Sequence, residues 1–158
     1  MFGPMSIRTN LQRETAAEHA DSPVVLVPRT CTLREVIRRL TEVEYGAVLV
    51  CEEERLVGIF TERDLLRALA ARVDLDRPVH EFMSQPAVAV ASDCKLAEVV
   101  SLMARGGYRH LPVVDPEGKP EGVVDVVGLV HWLVEHFPES VYTLPPDPNQ
   151  KMDSREGP

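Results

Sequence analysis

No apolar run in the chain approaches the roughly 20 residues that a helix needs to cross a bilayer, and no basic-then-apolar stretch near the N-terminus reads as a signal peptide. Membrane insertion is therefore not expected, and a cytoplasmic location is. Cysteine is scarce: Cys31, Cys51 and Cys94 make an odd number, three, and none forms a CxxC pair. That pattern speaks against a disulfide framework and against the usual zinc spacings. Basic charge is in deficit too, with 17 Lys and Arg against 25 Asp and Glu, a net charge of −8. Such a chain lacks the basic stripe that binding to nucleic acid requires, so no nucleic-acid partner is expected. A single phosphate group needs only a small local set of donors and is not excluded. No Walker-type glycine-rich loop and no Ser/His/Asp or Cys/His set is placed by any motif, so the chain is not read as an enzyme. His131 and His136 stand five apart, off a shared helix face, and no metal site is expected.

What is present is a repeat. Val24–Cys51 laid over Ala87–Val114 without a gap gives eight identities in 28 positions, at an offset of 63. They include Val25/Val88, Val27/Val90, Cys31/Cys94, Leu33/Leu96, Glu35/Glu98 and Tyr45/Tyr108. One inserted residue then aligns Gly58 with Gly122 and Leu65 with Leu129. Two similar units of this size must pack on each other to bury their apolar faces. With 44% hydrophobic and 27% charged residues the composition suits a folded, water-soluble protein.

Each copy reads β-α-β-β-α. Val25–Val27 and Val88–Val90 alternate as short strands. Thr32 and Glu35 have the spacing of a capping box, and Leu33, Val36, Ile37 and Leu40 follow as one helical stripe. In the second copy Lys95 stands where Thr32 does, which leaves Asp93 as the candidate cap. Two strands follow, Ala47–Cys51 and Leu56–Phe60, then His110–Val114 and Gly122–Val124 across an Asp-Pro-x-Gly turn. Closing helices are predicted over Thr61–Arg72 and Asp125–Phe137. A short helix is predicted over Leu11–Ala20 and a helical turn over Val79–Met83. Trp132 is placed in the core or in a dimer contact, and the two aligned cysteines are read as packing residues. The resulting organisation is an N-terminal extension (1–21), repeat one (22–72), a linker (73–85), repeat two (86–138) and a proline-rich polar tail (139–158).

The segment Gly58-Ile-Phe-Thr61-Glu-Arg-Asp64-Leu65 resembles the G-x-x-[ST]-x-x-D end of a CBS domain. Met83-Ser84-Gln85-Pro86 and Tyr108-Arg-His-Leu-Pro-Val-Val-Asp115 resemble other parts of the same family, and the likeness spans residues 20–138. It implies an α/β (α+β) fold in which two β-α-β-β-α repeats pack with pseudo-twofold symmetry. It also implies a regulatory module that needs no cofactor but binds AMP, ADP, ATP or S-adenosylmethionine between its repeats. On this resemblance Asp64 would take the ribose hydroxyls, Thr61 would lie near the phosphates, and Arg63 would be a further phosphate contact. The adenine would rest near Val24–Val27 and Tyr45, Gly46 and Ala47. Arg109 and His110 would either turn positive charge into the cleft or form a half-exposed strand end.

Thr61 and Asp64 would also make a good helix cap on their own, and a ligand-free dimerisation scaffold is the alternative function. Homodimerisation through the repeats and an unidentified regulated protein complete the implied partners. Copy two departs from the motif: Asp125 replaces the hydroxyl residue and Gly128 the ribose carboxylate. Asp125 would cap its helix but repel phosphate, so one nucleotide site per chain is expected.

Overall fold

The computed structural model describes residues 6–138; the proline-rich tail falls outside them. The chain runs α1 (Ile7–Arg13), β1 (Leu26–Pro28), α2 (Leu33–Val43), β2 (Ala47–Glu52), β3 (Arg55–Thr61) and α3 (Glu62–Ala70). It continues with β4 (Val90–Ala91), α4 (Leu96–Gly106), β5 (His110–Val114), β6 (Pro120–Asp125) and α5 (Val126–His136). This is an α+β fold with two three-stranded sheets, β1-β2-β3 and β4-β5-β6. In each sheet the first pairing is parallel and the second antiparallel.

The apolar stripes of α2 and α4 produce the two cores. Leu33, Val36 and Leu40 of α2 pack under Val48, Val50 and Phe60, all buried. Leu96, Val99 and Met103 of α4 do the same beneath Leu111, Val113 and Val124. Cys31 and Cys94 sit against these matching cores as partly buried side chains. Burial pushes both thiols above their ordinary range, so neither is set up as a nucleophile.

The segments that precede the two repeats are exchanged. Ala16 is fully buried in the second core and Val79 in the first. Ala16 N donates to Cys94 O at 2.8 Å, and Val79 N donates to Cys31 O at 2.7 Å. Isolated bridges join Thr15 to Lys95 and Thr32 to Pro78. Every one of these pairs maps onto its twin at the offset of 63. The repeating unit therefore reaches back to residues 16 and 79, and each unit's leading segment completes the other unit's core.

This exchange explains the glycine that opens each closing-helix motif. A Cβ on Gly58 would lie 2.3 Å from Met83 Sδ, and one on Gly122 would lie 2.6 Å from the Ala20 carbonyl oxygen. Met83 and Ala20 are equivalent residues of the two leading segments. Only glycine lets those segments cross the sheets so closely.

Three local expectations are corrected. The helix over Leu11–Ala20 is split into α1 and a 3-10 turn, Ala16–His19, with Glu14 and Thr15 extended between them. The reason is that Glu14 O accepts from Leu96 N at 2.9 Å, so the chain must leave the helix to reach α4. That same bond caps α4, and Asp93 makes no cap: the N-cap residue is Lys95, without a side-chain cap bond. On α2 the box is half made. Thr32 Oγ1 accepts from Glu35 N at 3.2 Å, but the Glu35 carboxylate turns to Arg38 and Arg39 instead of reaching back. The helical turn in the linker is present as Val79–Glu81.

Candidate functional site

At the head of α3 the first repeat gathers four of the residues named from sequence. Ala47 pairs with Thr61 across β2 and β3, and Glu62 N donates to Gly46 O at 3.0 Å. The Asp64 carboxylate folds back on Thr61. Its Oδ2 accepts from Thr61 N at 2.9 Å and from Thr61 Oγ1 at 3.2 Å, while the Thr61 hydroxyl takes the N–H of Asp64. The helix start is thus capped from within. Asp64 is only 8% exposed, the one buried charged residue described. Oδ1 accepts nothing among the described residues. The Glu62 carboxylate lies over Gly46, where a Cβ would meet Oε1 at 2.7 Å. Negative charge, not free N–H, therefore faces the space in front of this helix. Arg63 is exposed in the first turn.

The second repeat builds the equivalent corner differently. His110 pairs with Asp125 across β5 and β6, and Val126 N donates to Arg109 O at 3.0 Å. Asp125 caps α5, its Oδ1 accepting from Gly128 N at 2.7 Å. Its Oδ2 accepts from Ser22 Oγ at 2.5 Å, a residue 103 positions earlier. Burial alone would raise the Asp125 carboxyl, but the Ser22 hydroxyl, the Gly128 N–H, His110 and the Val127 N–H together outweigh it and hold the group below its usual range. Burial pushes His110 down, toward the neutral imidazole, with Asp125 opposing.

Tyr45 belongs to this second corner rather than the first. Its ring stands edge-on to His110, with centroids 5.4 Å apart. Its hydroxyl is buried near Ser22 and Asp125 and makes no well-formed hydrogen bond. Burial pushes the phenol up to about 12. Val24 is 40% exposed and lines a shallow outer hollow with Arg38, Arg39 and Val43, away from Thr61 and Asp64. The set named from sequence is therefore divided: Gly46, Ala47, Thr61 and Asp64 at one corner, Tyr45, His110 and Asp125 at the other. Ser22 was missed because nothing local marks a serine for a partner so far along the chain.

Asp64 also lines a hollow of about 280 Å³ beneath α3, between that helix and Phe82–Ser84. No described cluster of His, Cys, Asp and Glu could hold a metal ion. Among the described residues no helix is long and apolar enough to cross a membrane.

The CBS domain family model matches twice, over residues 16–71 and 79–135. The chain belongs to the CBS domain family. The matched stretches begin where the structure begins each repeating unit. A 17.7 kDa uncharacterized protein of Acidianus ambivalens is 32% identical over 117 residues, covering 73% of this chain and 71% of that one. A CBS domain-containing protein of Arabidopsis thaliana, CBSCBSPB1, is 32% identical over 116 residues, 72% of this chain but only 21% of its own length. Among solved structures, a CBS domain protein of Pyrobaculum aerophilum complexed with AMP aligns with a TM-score of 0.69 at 30% identity. The alignment covers 73% of this chain and 90% of that one.

Proposed function

We propose that the chain is a non-catalytic regulatory module that binds one adenosine-containing ligand at the Thr61/Asp64 corner and signals its occupancy to a partner protein. The observation that carries this reading is the buried Asp64 carboxylate, held at the head of α3 with one oxygen still open to accept hydroxyl protons. The AMP complex of the Pyrobaculum aerophilum relative supports it. One site per chain follows because Gly128 offers no carboxylate and Tyr45, Ser22 and Asp125 fill the second corner.

The exposed outer faces of the closing helices suit a second copy of the chain. Leu66 and Leu69 on α3 are 67% and 49% exposed, and Val127 and Val130 on α5 are 54% and 50%. We therefore read the module as a homodimer joined through α3 and α5. Light scattering should give a dimer, and Leu66→Glu should shift it toward monomer.

Thermal unfolding with AMP, ADP, ATP and S-adenosylmethionine tests the ligand reading. A ligand at ~100 times its Kd stabilises by about 2.7 kcal/mol. Asp64→Ala should abolish that shift. A ligand-free scaffold is the second reading, favoured by the completed Thr61–Asp64 capping box. Calorimetry showing no heat with any of the four would establish it.

A further inference from the structure

The two corners meet at one dipeptide. Gly46 belongs to the first, its carbonyl oxygen accepting from Glu62 N at 3.0 Å at the head of α3. Tyr45, the residue before it, belongs to the second and sets its ring against His110 of the other repeat, with centroids 5.4 Å apart and planes at 85°. His110 in turn pairs with Asp125 across β5 and β6, and Asp125 accepts from Ser22 Oγ. A chain of contacts thus runs from Glu62 through Gly46, Tyr45 and His110 to Asp125, and it passes from the first repeat to the second where Tyr45 meets His110. His110 is the member of that chain whose charge changes near neutral pH.

The groups that face the imidazole set what a proton there would meet. Asp125 on the neighbouring strand and Glu62 at the head of α3 attract positive charge, and Arg109 beside His110 repels it. The Tyr45 phenol, pushed up to about 12, is uncharged throughout the histidine range, and the Ser22 hydroxyl is already given to Asp125. Burial counts for more than the two carboxylates and holds the imidazole below its ordinary 6.5. A charged imidazolium at this half-buried place gains by reaching water.

We propose that His110 is a proton-sensitive latch between the two repeats. Neutral, it packs against Tyr45 and the joint is closed. Protonated, it turns toward water, parts from the Tyr45 ring and releases the Tyr45–Gly46 segment on which the head of α3 rests. The latch is a property of the joint itself and needs no ligand. Its sign follows from burial: the unfolded chain takes the proton more readily than the folded one. The stability that His110 lends the joint is therefore complete above the ordinary 6.5 and is lost as pH falls from there toward the lower folded value.

NMR on the full chain without ligand, followed from about pH 8 to 5.5, the span over which histidines titrate, tests the latch. The His110 ring should titrate below 6.5, its cross-peaks to the Tyr45 ring should fade with the same midpoint, and the amides of Gly46 and Glu62 should shift in step. In His110→Gln, which keeps a planar polar group but takes no proton, those two amide shifts should vanish. The urea midpoint should fall with acid more steeply in the wild type than in that variant. An imidazole that titrates at or above 6.5, or cross-peaks that survive its protonation, would overturn the latch. So would amide shifts that persist in His110→Gln, or an equal acid dependence of the two chains in urea. Should His110→Gln fail to fold, the ring titration and cross-peaks of the wild type still decide. Each result stands apart from the ligand reading, because no ligand is present.

Discussion

The two repeats share a backbone and differ at the ends of their closing helices. At the head of α3 Thr61 and Asp64 bond to each other, whereas at the head of α5 Asp125 reaches across to Ser22 in the first unit's leading segment. Beneath α3 there is a hollow, and beneath α5 there is Trp132. The second repeat uses the polar groups of this corner for internal contacts, whereas Asp64 of the first keeps one carboxylate oxygen without a partner among the described residues. On the proposed function, the duplicated fold separates two tasks: one copy braces the pair and the other carries the ligand corner.

The comparison predicts shared stability alongside unshared chemistry. Leu33 and Leu96 are both fully buried at equivalent places. Replacing either by Ala should cost about 2–5 kcal/mol, and because each core holds the other unit's leading segment, both variants should unfold in one transition in urea. Two separated transitions would mean the repeats are independent. Next comes Gly122→Ala, whose Cβ meets backbone, the Ala20 carbonyl oxygen, at 2.6 Å. It should cost about 1–3 kcal/mol, and Gly58→Ala less, since the Met83 thioether can swing aside. Equal costs would erase this difference between the copies.

Asp125→Ala should remove about 0.5–2 kcal/mol through the lost cap, with an acid signature. Its carboxyl is held below the ordinary 3.8, so the stabilisation is present above that pH and is lost as pH falls through the lower folded value. A variant with the wild-type acid midpoint would show that the Ser22 contact carries no weight. The smallest effect belongs to Tyr45. Its folded phenol is raised from 10.0 to about 12, so its contribution holds below pH 10 and fades between 10 and 12. Tyr45→Phe should remove that alkaline loss and, by deleting a buried hydroxyl without a well-formed bond, leave neutral-pH stability unchanged or slightly higher.

The alternating valines, the Leu33 and Leu96 stripes and the offset of 63 made the β-α-β-β-α order readable from residues alone, because burial imposes those periods. The exchange of leading segments was not readable. Ala16 and Val79 are ordinary apolar residues, and nothing local tells which of two similar cores they enter. The site was half legible. Thr61 and Asp64 have a motif, but the division of Tyr45 from Gly46, adjacent in the loop between α2 and β2, depends on the Tyr45 ring meeting His110 of the other repeat. The alignment also sets Ala68 against Trp132, a large change of volume at a helix face. Reading it required knowing that the face is buried.

The glycine crossings carry a mechanical consequence. Phe82, Met83 and Ser84 wall the hollow on one side, yet they belong to the strip of chain that runs on into β4. Met83 is pressed onto Gly58 while its twin Ala20 is pressed onto Gly122, so the two units are laced like a pair of clasped hands. Anything wedged under α3 pushes on the wrist of the other hand, and the whole clasp must tighten or slip together.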